Sequence, residues 1–168
     1  VRRIWPDRLV VQLEEHRATA LWQAEERDDR LVNLQGEVFA ANIGDVEDEA
    51  LPTFSGPEGS SAPVLSLYRR LLPLLRPLDM EIEQLQQSSR GSWRVLLDSG
   101  ARLELGRGSE DEVFARTQRF VRTLGQVTER YRAPLEHADL RHADGYAVRL
   151  RGVTTQPASA PAGSRPAP

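Results

Sequence analysis

An α+β fold, with two helices packed on a mostly antiparallel or mixed β-sheet, is predicted by three features of this 168-residue chain. Trp93, Val95 and Leu97 alternate towards Asp98-Ser99-Gly100, and Ala101, Leu103 and Leu105 alternate away from it, which is the pattern of a tight hairpin. Ser109-Glu110-Asp111-Glu112 is a capping box: Ser109 can accept from the backbone N–H three residues on, and Glu112 can reach back. A long helix starts there. The stretch Asp139 to Leu150 reads as a closing hairpin, followed at once by a Pro/Ala/Ser tail over Thr154 to Pro168 that is too poor in large apolar groups to fold. The last strand therefore has no later strand to cover it. Its free backbone groups must be either blunted or used to capture a partner's strand, and capture is the expectation.

The remaining elements follow in chain order. Leu9, Val11 and Leu13 share one face of a half-buried strand over Leu9 to Glu14, with Trp5-Pro6-Asp7 turning into it. Thr19 to Gln23 is strand-like, and Leu31 to Phe39 reads as two short strands around a Gly-containing turn. Asn42 to Ala50 is an acidic loop; Leu51 to Phe54 is extended and Ser55 to Ser60 is a turn by composition. Pro63 suits the first turn of a helix whose stripe is Val64, Leu65, Tyr68, Leu71, Leu72 and Leu75. Pro73 inside that stripe predicts a kink or an end near Leu72. Ile82 and Leu85 belong to the next strand. The capped helix has a core seam of Val113, Thr117, Phe120, Leu124, Val127 and Tyr131, with Arg116, Arg119, Arg122 and Arg130 on the surface, and Pro134 closes it. The closing strands span roughly Glu136 to Leu140 and Tyr146 to Leu150. In the last of these Tyr146, Val148 and Leu150 alternate with Ala147 and Arg149, and the outward N–H is expected at Ala147 or Arg149.

Charge and composition exclude several classes of function. All 22 basic residues are Arg, set against 25 acidic ones for a net charge of −3, so bulk-charge binding of nucleic acid is disfavoured. Complete use of Arg fits a GC-rich genome and also planar, bidentate contacts with carboxylates. The absence of Cys removes disulfides and thiolate metal sites. No apolar run approaches the roughly 18 residues of a membrane span. The opening Val1-Arg2-Arg3-Ile4-Trp5 is no initiator sequence, and it reads as a cut inside a domain.

Candidate chemistry is sparse. His137, Asp139 and His142 put two imidazoles and a carboxylate close together, the one group from which a metal site or a small periplasmic hydrolase could be built. A turn separates His142 from the other two, however, and no second cluster completes the ligand set. No serine sits in a G-x-S-x-G elbow, and Gly106-Arg107-Gly108 lacks the third glycine of a dinucleotide fingerprint. Neither a metal nor a cofactor is expected. Trp5, Trp22 and Trp93 lie in separate strands and suit sheet packing. Arg107 and Arg141 each end a strand beside Gly-containing backbone, from which a guanidinium can reach outward.

Four stretches together resemble the extracytoplasmic part of the bacterial cell-division protein family FtsQ, called DivIB in Gram-positive bacteria: Arg3-Ile4-Trp5-Pro6-Asp7, Gly56-Pro57-Glu58-Gly59-Ser60, Leu105-Gly106-Arg107-Gly108, and Asp139-Leu140-Arg141 with Gly145 beyond. The resemblance covers about residues 1 to 152. It implies the C-terminal remnant of a POTRA domain over 1–17, with its terminal strand, an FtsQ-type β domain over 18–153, and a disordered tail over 154–168. It also implies a single-pass inner-membrane protein whose membrane helix lies outside this chain, with this portion periplasmic and enriched at the septum. The implied role is that of a non-catalytic divisome scaffold that recruits FtsB and FtsL, with FtsW and FtsI as further partners through other regions. Family members pair their last strand with a strand of FtsB, whose acidic side chains meet two arginines. Carried over residue by residue, the partner-binding set here is Arg107, Arg141, His142, Gly145, Tyr146, Ala147, Val148 and Arg149. The chain departs from the family at His142, where Tyr is usual, and at Ala143-Asp144, where Pro-Asn is common. Tyr146 is the expected substitute for the aromatic anchor.

Overall fold

The computed structural model describes residues 2–4, 8–10, 17–24, 27–40, 44, 50–142 and 145–153. Strands β1 (Arg2–Ile4) and β2 (Arg8–Val10) pair antiparallel with Arg3 opposite Leu9. The strand predicted from Leu9 to Glu14 is thus seen at its first residues, preceded by Arg8. Its remainder, the turn at Trp5 to Asp7, most of the acidic loop and the Pro/Ala tail lie outside the described residues.

A nine-stranded mixed sheet forms the rest. In chain order its elements are β3 (Ala18–Ala24), β4 (Arg27–Asn33), β5 (Val38–Phe39), β6 (Thr53–Ser55), α1 (Ser61–Leu75), β7 (Ile82–Gln87), β8 (Ser92–Leu97), β9 (Arg102–Arg107), α2 (Glu110–Tyr131), β10 (Leu135–Asp139) and β11 (Ala147–Leu150). They lie side by side as β11-β10-β9-β8-β7-β6-β3-β4-β5. Pairs β6–β7 and β9–β10 are parallel, and parallel neighbours need a crossover between them. The two helices are those crossovers, α1 carrying the chain from β6 to β7 and α2 from β9 to β10. They pack on each other and on one face of the sheet, giving the expected α+β architecture.

The covered face carries a row of apolar side chains that passes from strand to strand. Trp22 lies opposite Phe54, Phe54 opposite Leu85, and Leu85 opposite Val95. Val95 then meets Leu103, Leu103 meets Ala138, and Ala138 meets Val148 of the final strand. All but Val148 are buried. The turn between β4 and β5 is locked to α1: Asn33 Oδ1 accepts from the N–H groups of Gln35 and Glu37 at 3.0 and 2.8 Å, and Ser61 Oγ donates to the Gly36 carbonyl at 2.7 Å. Gly36 has φ +85°, and a Cβ there would lie 2.7 Å from the Ala62 Cα. Both the conformation and the contact require glycine.

Two helix expectations need correction. Helix α1 does not stop or break at Pro73 but runs to Leu75 and continues as a 3-10 turn over Arg76–Leu78. Pro73 and Arg69, the residue four before it, are both exposed, so the lost hydrogen bond leaves a carbonyl on the watery side of the helix. Leu71 and Leu75, fully buried on the other side, hold the last turn in place against the cost of the proline. In α2 the capping box forms with both limbs, Glu112 N–H to Ser109 Oγ at 3.3 Å and Ser109 N–H to Glu112 Oε2 at 2.8 Å. The seam is buried at Val113, Thr117, Phe120 and Leu124. It lifts off thereafter, and Tyr131 is 52% exposed. The helix is longer than the strands beneath it, so its final turn runs past the sheet.

Phe120 joins the helix to the end of the chain, its ring meeting that of Tyr146 edge to face at 5.1 Å and 83°. Replacing Phe120 by Ala removes both the buried ring and that contact. The expected cost is about 3–5 kcal/mol, read by urea denaturation, together with a larger acceleration of amide exchange at Arg149 than at Val95. Equal exchange acceleration at the two sites would show that Tyr146 does not couple β11 to the helix.

Candidate functional site: the β11 edge and its arginines

Strand β9 ends in Leu105-Gly106-Arg107-Gly108, and its pairing with β8 slips there: Trp93 faces Gly106 while Arg94 faces Glu104. Leu105 is the extra residue of a bulge, a device that re-aims the side chains beyond it. Gly106 is buried with φ +81°, and a Cβ on it would come within 2.8 Å of Arg116 Nη1 and 3.1 Å of Arg141 Cγ. The bare backbone lets two arginines close in. From α2, the Arg116 guanidinium donates to the carbonyls of Leu105 and, at 3.1 Å, Arg107, giving the bulge residue and the end of β9 side-chain donors. Sequence reasoning placed Arg116 on the surface. Its role was invisible because no spacing rule distinguishes it from Arg119 or Arg122; only the position of the bulge carbonyls does.

Arg141 lies just beyond β10, after Leu140, whose N–H donates to the Glu104 carbonyl at 2.8 Å. Its backbone N–H and Nε donate to Asp139 Oδ1 at 3.0 and 2.9 Å, and Nη2 to Oδ2 at 2.6 Å. The Asp139 side chain is 14% exposed and that of Arg141 62%. Hydrogen bonding from Arg141 is the main reason that the Asp139 carboxyl is held well below the usual carboxylate range, against the opposing effect of burial. The same pairing raises the Arg141 guanidinium. Arg107 is exposed and donates from Nε to Ser92 Oγ at 3.2 Å. Gly106 therefore sits between the two predicted arginines, and the fold brings their strand ends together.

The other predicted residues divide. His142, Gly145, Ala147 and Arg149 are exposed; Val148 and Tyr146 are half-buried. The Tyr146 ring rests on Phe120 and its hydroxyl shares a hydrogen bond with that of Thr123, so much of this aromatic is engaged inside the fold. Ala143 and Asp144 lie outside the described residues. Among the described residues strand β11 pairs with β10 alone and forms one edge of the sheet. Its outward N–H groups are not those expected. The Arg151 N–H donates inward to the Pro134 carbonyl at 2.9 Å, and successive N–H groups of a strand alternate sides. Ala147 and Arg149 accordingly point their N–H groups at β10, while Val148 and Leu150 present theirs outward. Between this strand and the overhanging end of α2 lies an open groove of about 690 Å³, with apolar lining from Val127, Tyr131, Val148 and Leu150 and charged lining from Glu136 and Arg149. Tyr131, missed as a surface residue, is part of its wall.

Among the described residues no group of three His, Asp or Glu side chains is placed to hold a metal. Both carboxylate oxygens of Asp139 accept from Arg141. Among the described residues no helix is long and apolar enough to cross a membrane.

A family model described as cell division protein FtsQ/DivIB, C-terminal, matches residues 20–141, from β3 through Arg141. The chain belongs to the FtsQ/DivIB family. Individual proteins agree with the assignment. The cell division protein FtsQ of Burkholderia pseudomallei is 40% identical over 154 residues, covering 91% of this chain and 60% of that protein. FtsQ of Nitrosospira multiformis is 40% identical over 149 residues, covering 89% and 58%, and FtsQ of Thiomonas arsenitoxydans 36% over 154 residues, covering 91% and 57%. The chain thus spans about three fifths of the length of these relatives. The family match holds the bulge and both arginines, and β11 lies just beyond it.

The Arg141 to Asp139 pair yields a pH test. Because the folded carboxyl titrates below its unfolded value of about 3.9, the pair's contribution to stability is complete above that pH and is lost as pH falls through the folded value. Carbon NMR should place the Asp139 midpoint below the ordinary Asp value, and Arg141→Ala should move it up. An unmoved midpoint in the variant would remove the guanidinium as the cause.

Proposed function

We propose that this chain is the partner-binding portion of a non-catalytic divisome scaffold, which recruits the FtsB and FtsL subcomplex by accepting a strand of FtsB along β11 and so supports septal cell-wall synthesis. The observation that carries the reading is the position of β11: an edge strand at the end of the sheet, with the N–H groups of Val148 and Leu150 directed away from β10. Main-chain hydrogen bonds along such an edge supply affinity and register, and flanking side chains supply selectivity. Arg107 and Arg141, gathered at the adjoining strand ends, suit carboxylates of the incoming segment. Asp139 fixes the Arg141 guanidinium in one orientation while most of its surface stays in water. The groove beside Tyr131 offers apolar lining for side chains of an added strand. In this reading the whole protein is anchored in the inner membrane by a segment outside this chain, the present portion is periplasmic and works at the septum, and FtsW and FtsI are reached through other regions.

Strand addition and side-chain docking are separable. Val148→Pro removes an outward donor at an edge position that tolerates proline in the fold, whereas Val148→Ala keeps the donor. With the FtsB ectodomain as probe, the Pro variant should lose about tenfold or more in affinity and the Ala variant about threefold or less, both retaining the native circular dichroism spectrum. Arg107→Glu and Arg141→Glu should each abolish recruitment in folded protein by placing like charges across a desolvated contact. Full binding by folded Val148→Pro would move the interface to another surface.

A further inference from the structure

The uncovered face of the sheet carries its charges in cross-strand rows, and two neighbouring rows differ in kind. In the first, Arg94 lies opposite Glu104, Glu104 opposite Asp139, and Asp139 opposite Ala147. Its two carboxylates are both neutralised, Glu104 by Arg94 at 2.7 Å and Asp139 by Arg141 at 2.6 Å. In the second, Gln84 lies opposite Leu96, Leu96 opposite Arg102, Arg102 opposite His137, and His137 opposite Arg149. This row contains an imidazole between two guanidiniums and no carboxylate. Among the described residues neither Arg102 nor Arg149 has an acid within ion-pair distance, and both are exposed.

Residues directly opposite on adjacent strands have their Cβ atoms about 5 Å apart, close enough for charges to interact. The row ends at Arg149 because β11 is the edge. A strand added outside β11 continues it by one position, on the same face and next to Arg149. We infer that this position is occupied by an acidic side chain of the partner: Arg149, at the open end of the Arg102–His137–Arg149 row, is a carboxylate receptor that sets the register of the added strand. A carboxylate there relieves the unbalanced row, whereas a basic residue adds to it. Shifting the partner by one residue turns that carboxylate to the helix side of the sheet, so one charge fixes register along an otherwise uniform backbone ladder. The inference rests on strand addition at β11, and adds to it the chemistry and placement of one partner residue. Arg149 makes none of the ion pairs of Arg94 and Arg141 and lies in a different row from Ala147.

A charge-swap experiment with the full chain and the FtsB ectodomain as probe tests it. Arg149→Glu should weaken binding about tenfold at low salt, with a smaller loss at high salt where the charges are screened, and Arg149→Gln should weaken it less. Each Asp and Glu of the probe is then replaced singly by Arg. One of these replacements should restore binding to Arg149→Glu while weakening binding to the parent chain. If Arg149→Glu binds as the parent does while Val148→Pro does not bind, the register role of Arg149 is overturned and strand addition stands. A loss in Arg149→Glu that no probe replacement reverses also overturns it, since the arginine then meets no partner acid. If the parent chain does not bind the probe, the proposed function and this inference fall together.

Discussion

One buried row of side chains fixes the geometry on which everything else in this protein rests. Trp22, Phe54, Leu85, Val95, Leu103 and Ala138 meet in succession under the two helices. Because side chains alternate across a strand, a slip of one residue anywhere in this series would expose the apolar set and bury the polar one. The covering helices thereby set the register of the exposed face as well, although they never touch it. Arg102, His137 and Arg149 form a row outside because their neighbours Leu103, Ala138 and Val148 form one inside. The edge strand is held by the same rule, with Val148 turned inward and Ala147 and Arg149 turned out.

The arginines illustrate a division of labour that composition alone conceals. Arg116 works on the backbone, satisfying the bulge carbonyls and tying the end of β9 to the helix that follows it. Arg94 balances Glu104, and Arg141 is clamped by a neighbouring aspartate while its guanidinium remains largely exposed. A long, flexible cation pays a conformational penalty when it docks on a partner, and the Asp139 clamp has already restricted Arg141. Arg107, held lightly by Ser92, and Arg149, with no acid within ion-pair distance among the described residues, keep more of their freedom.

Much of the fold was legible where local rules are strong. The hairpin at Asp98 to Gly100, the capping box at Ser109 and the closing strand pair are governed by residues close together in sequence, and they appear within a residue or two of their expected bounds. The errors arose where tertiary context decides. Pro73 is accommodated because Leu71 and Leu75 are buried beneath its turn; Tyr131 is exposed because α2 outruns the sheet; Arg116 turns inward because a bulge supplies two carbonyls. The edge position of β11 among the described strands agrees with its place in chain order. Which of its amides face outward did not, because side-chain alternation reports faces of the sheet and not the two sides of the strand within it.

Chain order also gives the edge a history. Among the described residues strand β11 pairs only with β10, and β10 reaches its other neighbour, β9, only after the whole of α2 has been traversed. Local hairpins such as β7–β8–β9 close over short separations, whereas this crossover must close a loop longer than twenty residues, a slower step. As the polypeptide emerges from its N-terminus, the β11 edge is therefore the last of the described strands of the sheet to come into being. Until β10 and β11 are made, the outermost strand on this side of the sheet is β9, which carries the bulge at Leu105 and Gly106 and so offers a broken template to a stray strand. The β11 edge thus becomes available only when the described strands behind it are in place.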